Sequence, residues 1–144
     1  MVVETKNYTT QSAEETVELG ALLANRLKPG DAVGLIGDLG AGKTHFVHGV
    51  ARGLGVKGYV SSPSFTIINI YKGSHCPLFH IDLYRLDDHT ELAELGLEEY
   101  IYADGISVIE WVEKAPEYLE DMRFVVRITH VSDTERLIEI EERE

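Results

Sequence analysis

The chain has 144 residues, 44% of them hydrophobic, with 25 Asp and Glu against 13 Lys and Arg and a formal net charge of −12. That length suits one domain spanning 1–144, able to bury about two-thirds of its unfolded surface. The acidity excludes a general surface that grips a nucleic-acid backbone, no apolar run approaches the roughly 20 residues of a membrane span, and the lone Cys76 excludes an internal disulfide framework.

From the N-terminus, Met1 to Lys6 has no basic segment leading into an apolar one, so no signal peptide is expected and a cytoplasmic location is. Thr9-Thr10-Gln11-Ser12 leads into a helix: Ser12 and Glu15 form a capping box, and Val17, Leu19, Leu22, Leu23 and Leu27 supply an apolar stripe. Pro29-Gly30-Asp31 turns the chain into a short apolar strand, Ala32 to Ile36. After it comes Gly37-Asp38-Leu39-Gly40-Ala41-Gly42-Lys43-Thr44, which fits the phosphate-binding pattern G-x-x-x-x-G-K-[ST]. Phe46, Val47, Val50 and Ala51 then recur at helical spacing, and the helix is predicted to stop by Gly53 or Gly55.

Strand, glycine-rich loop and helix together are the context that motif requires. Glycines let the loop curl with its N–H groups inward, and the helix start adds unsatisfied N–H donors and the positive end of a dipole. Lys43 is placed to reach the β- and γ-phosphates of a nucleotide, and the Thr44 hydroxyl to hold Mg2+. An acidic chain must recruit an anionic nucleotide against its own field, so these local devices carry the binding.

Further along, Tyr59 to Thr66 is a hydroxyl-bearing loop broken by Pro63: either a sensor of the γ-phosphate or ordinary turn chemistry. Ile67 to Tyr71 and Leu78 to Tyr84 read as strands, Thr90 to Tyr100 as an amphipathic helix, and Ile106 to Trp111 as a buried strand. Pro116 to Asp121 is a short turn or helix. Phe124 to Thr129 and Arg136 to Glu142 read as antiparallel neighbours joined through Ser132-Asp133.

Hydrolysis on such a loop needs a carboxylate to complete the metal shell and a group to orient water. Asp82 and Glu110 each close an apolar strand and are the two candidates for these roles, which spacing alone does not divide between them. Arg85 is either an internal arginine finger or a surface ion pair, and Trp111 either core or pocket lining. His75, Cys76 and His80 fit no standard zinc spacing. The loop is followed by no D-x-x-G or N-K-x-D, which removes a small GTPase, and by no L-S-G-G-Q, which removes the transporter ATPases; ATP is the default nucleotide.

Four segments, Gly37 to Thr44, Ser62-Pro63-Ser64-Phe65-Thr66, His80-Ile81-Asp82-Leu83-Tyr84-Arg85-Leu86 and Glu110-Trp111, occur in the order and spacing of the TsaE (YjeE) family, which this chain resembles from about Thr9 to Trp111. The resemblance implies a P-loop NTPase-like α/β fold, a three-layer sandwich with a central, mostly parallel sheet and antiparallel strands added at the C-terminal end. It implies an ATPase needed for threonylcarbamoyl modification of tRNA adenosine next to the anticodon, acting through the partner proteins TsaD and TsaB and meeting tRNA only indirectly. By position it implies ATP on Asp38, Leu39, Gly40, Ala41, Gly42, Lys43, Thr44 and His45, with Thr10 and Arg136 also touching the nucleotide. Mg2+ is implied near Thr44, Glu110 and Asp82, and the acids and Lys43 carry turnover. Three positions depart from the family pattern: His45 replaces a second Thr or Ser, Ser64 a Thr, and Val112 a Pro, the last expected to loosen the strand end that positions Glu110. Two other readings fit a nucleotide loop: a small-molecule kinase with Asp82 as base, and a non-catalytic, ATP-gated interaction module.

Overall fold

The computed structural model describes residues 2–38, 40–58, 68–86 and 94–144. Among these residues seven strands form one sheet: β1 (Val2–Thr10), β2 (Ala32–Ile36), β3 (Ile68–Lys72), β4 (Pro77–Asp82), β5 (Ile106–Glu110), β6 (Phe124–His130) and β7 (Arg136–Arg143). Their order across the sheet is β1-β7-β6-β2-β5-β4-β3. The four inner strands β6, β2, β5 and β4 run parallel, and antiparallel strands flank them on both sides.

The middle of the sheet is apolar on both faces, as a strand covered from both sides requires. On β2, Val33 and Leu35 join one core cluster with Phe46, Val47 and Val50, while Ala32 and Ile36 join a second with Leu97, Val112 and Met122. Helices α1 (Ala13–Ala24) and α2 (Lys43–Gly53) therefore cover one face. The other is covered by the chain around the short helix α3 (Glu98–Ile101) and the 3-10 turns Val112–Lys114 and Pro116–Asp121. α1 and α2 pack almost backbone to backbone: a Cβ on Gly49 would stand 1.9 Å from the Val17 carbonyl oxygen, so only glycine fits there.

Most predicted elements are present, with instructive differences. Ser12 caps α1 by accepting from the Glu15 N–H, but the Glu15 carboxylate reaches back to the Gln11 N–H rather than to Ser12's own. Of the predicted stripe, Leu23 is buried and Leu19 and Leu27 pack against the core, whereas Leu22 is 64% exposed because the buried face runs through Thr16, Gly20, Leu23 and Ala24. α2 ends at Gly53, and β6 and β7 pair antiparallel.

The antiparallel strands do not come from the C-terminal end alone, since β1 and β3 form the two edges. β1 has no counterpart in the sequence reading: its residues Val2 to Thr9 are all exposed, so backbone pairing with β7 holds it without the apolar alternation that marks a strand. The helix predicted over Thr90 to Tyr100 is interrupted by a turn at Gly96, whose φ is +66°, and resumes as α3; residues 90–93 lie outside the described residues.

Candidate functional site

β2 emerges at the carboxyl edge of the parallel strands and passes directly into the loop of Gly37 to Gly42. Gly42 caps α2 at φ +107°, a left-handed conformation that a side chain rarely adopts, and Lys43 is the first helical residue. Ala41 is buried in the core, and its carbonyl accepts from Arg136 Nε at 2.9 Å. Arg136 also donates through Nη1 to the Ser132 and Glu135 carbonyls, so it braces the loop from the start of β7. Thr10 lies opposite Arg136 in the β1–β7 register, and its buried hydroxyl bonds to that of Thr16 at 2.8 Å. These two residues, 126 positions apart in the chain, thus meet beside the loop.

Lys43 is the electrostatic centre. It is 5% exposed, its Nζ donates to the Gly37 carbonyl, and the ammonium sits 3.4 Å from the centroid of the Trp111 ring. Burial pushes its pKa below the ordinary lysine value, against the upward pull of Glu110, Glu113, Asp82 and Asp38. Trp111 reaches this position through a left-handed backbone (φ +60°), a conformation costing about 1–3 kcal/mol in a bulky residue. Tyr84 packs against Trp111 at 5.0 Å between centroids, and Lys114 donates to the Tyr84 carbonyl.

The two candidate acids are direct neighbours: Asp82 ends β4, Glu110 ends β5, and they are register partners. Burial raises the Asp82 carboxyl above the ordinary aspartate value; the Tyr84 N–H that it accepts at 2.9 Å opposes this, and the Glu110 charge adds to it. Glu110 is 3% exposed, and His80 on β4 meets its Oε2 through Nε2 at 2.5 Å. At Val112, where the family pattern has Pro, side-chain burial and a backbone bond tie down this strand end. Val112 is fully buried, the Trp111 N–H donates to the Leu35 carbonyl at 3.1 Å, and a 3-10 turn follows.

Asp38, Gly40 and His45 stand exposed at the rim, and Thr44 is half-buried on the first turn of α2. Leu39 and the loop from Tyr59 to Thr66 lie outside the described residues. Arg85 is exposed. Among the described residues no group of three or more His, Cys, Asp and Glu is placed to hold a metal ion alone, and His80 turns to Glu110 rather than to His75 and Cys76. Mg2+ ordinarily needs only one or two carboxylates plus phosphate oxygens, and Asp82, Glu110 and the Thr44 hydroxyl are hard oxygen donors of that kind. An ammonium stripped of water beside glycine-bounded backbone likewise fits a phosphate. Sequence reasoning missed His80, weighing it only as a metal ligand. The available signal was its spacing of two from Asp82, which puts both on one face of a strand.

No helix among the described residues is long and apolar enough to cross a membrane. A family model described as threonylcarbamoyl adenosine biosynthesis protein TsaE matches residues 10–138. The tRNA threonylcarbamoyladenosine biosynthesis protein TsaE of Bacillus subtilis is 44% identical over 131 residues, covering 91% of this chain and 82% of that one. Its namesake in Rickettsia conorii is 40% identical, covering 92% and 76%. The crystal structure of Bacillus subtilis YdiB superimposes with a TM-score of 0.81 at 36% identity, over 99% of this chain and 87% of that one.

Proposed function

The chain belongs to the TsaE family, whose members are named for tRNA threonylcarbamoyladenosine biosynthesis, and from that premise we propose that it is the Mg2+-dependent P-loop ATPase of that process. In this reading it works through a complex of TsaD and TsaB and does no chemistry on the tRNA itself. The observation that carries it is the position of Lys43: a desolvated ammonium at the first turn of α2, within the field of two carboxylates that close adjacent parallel strands.

In this reading each group of the site has a task. Backbone N–H groups from Asp38 to Thr44 bind the phosphates, and Lys43 exchanges the Gly37 carbonyl and the Trp111 ring for phosphate oxygens, a stronger charge-assisted partner. Arg136 and Thr10 hold the flank of the loop near the nucleotide. Glu110 and the Thr44 hydroxyl hold Mg2+, with Asp82 beside them as second ligand or as the group orienting water. Bound there, Mg2+ neutralises charge on the leaving phosphates. The negative surface suits a protein that meets other proteins rather than an RNA backbone.

The test is ATP turnover with Mg2+, alone and with TsaD and TsaB added, and with Glu110→Ala as control. The expected result is turnover that rises with the partners and is lost in the variant while ATP still binds. Turnover equal in the variant and the parent overturns the assignment. Turnover indifferent to the partners redirects the search to a phosphate acceptor.

A further inference from the structure

We propose that His80 is the positioning residue of the site: its ring holds one oxygen of Glu110 and so aims the other at the metal and the phosphates. The inference rests on the ATPase reading and deepens it.

His80 has no exposed surface, and its Nε2 lies 2.5 Å from Glu110 Oε2. Its other ring nitrogen, Nδ1, is buried and has no hydrogen-bond partner among the described residues. The ring is thus held from one side: Nε2 meets Glu110 Oε2, and with its hydrogen on Nε2 the ring donates to that oxygen.

Geometry explains why a donor is needed. His80 and Asp82 alternate onto one face of β4, and the register sets Val108 opposite His80 and Glu110 opposite Asp82. His80 thus reaches Glu110 diagonally from below, on the strand side, leaving the direction of Asp82 and Lys43 open. Among the described residues, the side chain that holds the Glu110 carboxylate is His80, through Oε2. A buried carboxylate beside a second one would otherwise turn away from Asp82, whose charge it raises in energy. Partners of this kind, one shell behind the ligand, are generally worth about 10–100-fold in metal affinity or activity.

The test uses the full chain with TsaD and TsaB present. His80→Leu removes the donor, His80→Asn keeps polarity but is too short to reach Oε2, and His80→Gln restores an N–H near the Nε2 position. Turnover is read together with Mn2+ titrated by electron paramagnetic resonance into protein carrying a non-hydrolysable ATP analogue. Leu and Asn are expected to lower kcat and weaken Mn2+ binding about 10–100-fold, with KM for ATP and metal-free nucleotide affinity unchanged, and Gln to recover most of both. Should His80→Leu fail to fold, Asn against Gln decides. Leu or Asn matching the parent in kcat and Mn2+ affinity overturns the inference alone, as does Gln impaired as much as Asn, which marks a purely structural role. A parent that neither binds nor hydrolyses Mg–ATP overturns the ATPase reading itself, and this inference with it.

Discussion

β2 and β1 are opposite kinds of strand. β2 is five residues long, four of them buried, and lies fourth in a sheet of seven; β1 is nine residues long, eight of them exposed, and lies at the edge. The first is held by side chains on both faces and the second by its backbone ladder to β7. Both nevertheless serve the same place. β2 leads into the glycine-rich loop, the proposed phosphate site, and β1 delivers one residue, Thr10, opposite the Arg136 that braces that loop. Burial along a strand tells how firmly it is held, and its endpoint tells what it is for.

Substitutions along the two strands sharpen this difference. The largest effect is expected just past β2, where Lys43→Ala removes the cation proposed to meet phosphate: a loss of about 2–5 kcal/mol, or some 30-fold to several thousand-fold in ATP affinity by isothermal titration. Equal affinity in the variant and the parent would break the assignment of the loop. Within β2 itself, Leu35→Ala empties a fully buried position and should lower unfolding free energy in urea by about 2–5 kcal/mol.

At the end of β1, Thr10→Val breaks the buried hydroxyl pair with Thr16, for which about 1–2 kcal/mol is expected in the same assay. A cost as large as that of Leu35→Ala would mean that β1 is more than a ladder-held edge. Asp82→Asn runs in the other direction. Burial raises the folded pKa of Asp82, so ionisation there opposes folding once the pH exceeds the ordinary aspartate value. The variant should therefore melt a few degrees higher at neutral pH while losing turnover. This advantage should shrink as the pH falls through the raised folded pKa toward the ordinary value, which calorimetry across that range would read. The smallest effect belongs to the exposed part of β1: Val3→Ser should change stability by less than about 0.5 kcal/mol.

Local features were legible in the residues themselves. The apolar run of β2, the glycines and Lys43 of the loop, the spacing of α2 and its stop at Gly53, the Ser12 cap and the acids closing β4 and β5 all follow from periodicity and chain stereochemistry within a dozen residues. Features that depend on register between distant segments emerged with the packed fold. β1 pairs through backbone groups that leave no side-chain pattern, so its exposed sequence carried no mark of a strand. The meeting of Thr10 with Arg136, and of Asp82 with Glu110, required a sheet order in which chain neighbours are not always sheet neighbours. His80 shows the same limit: its spacing from Asp82 was legible, but its contact with Glu110 depends on how β4 lies along β5, which neither strand specifies alone. The lowered pKa of Lys43 and the raised pKa of Asp82 arise in the same way, because burial is a property of everything packed around a group and not of the residue that carries it.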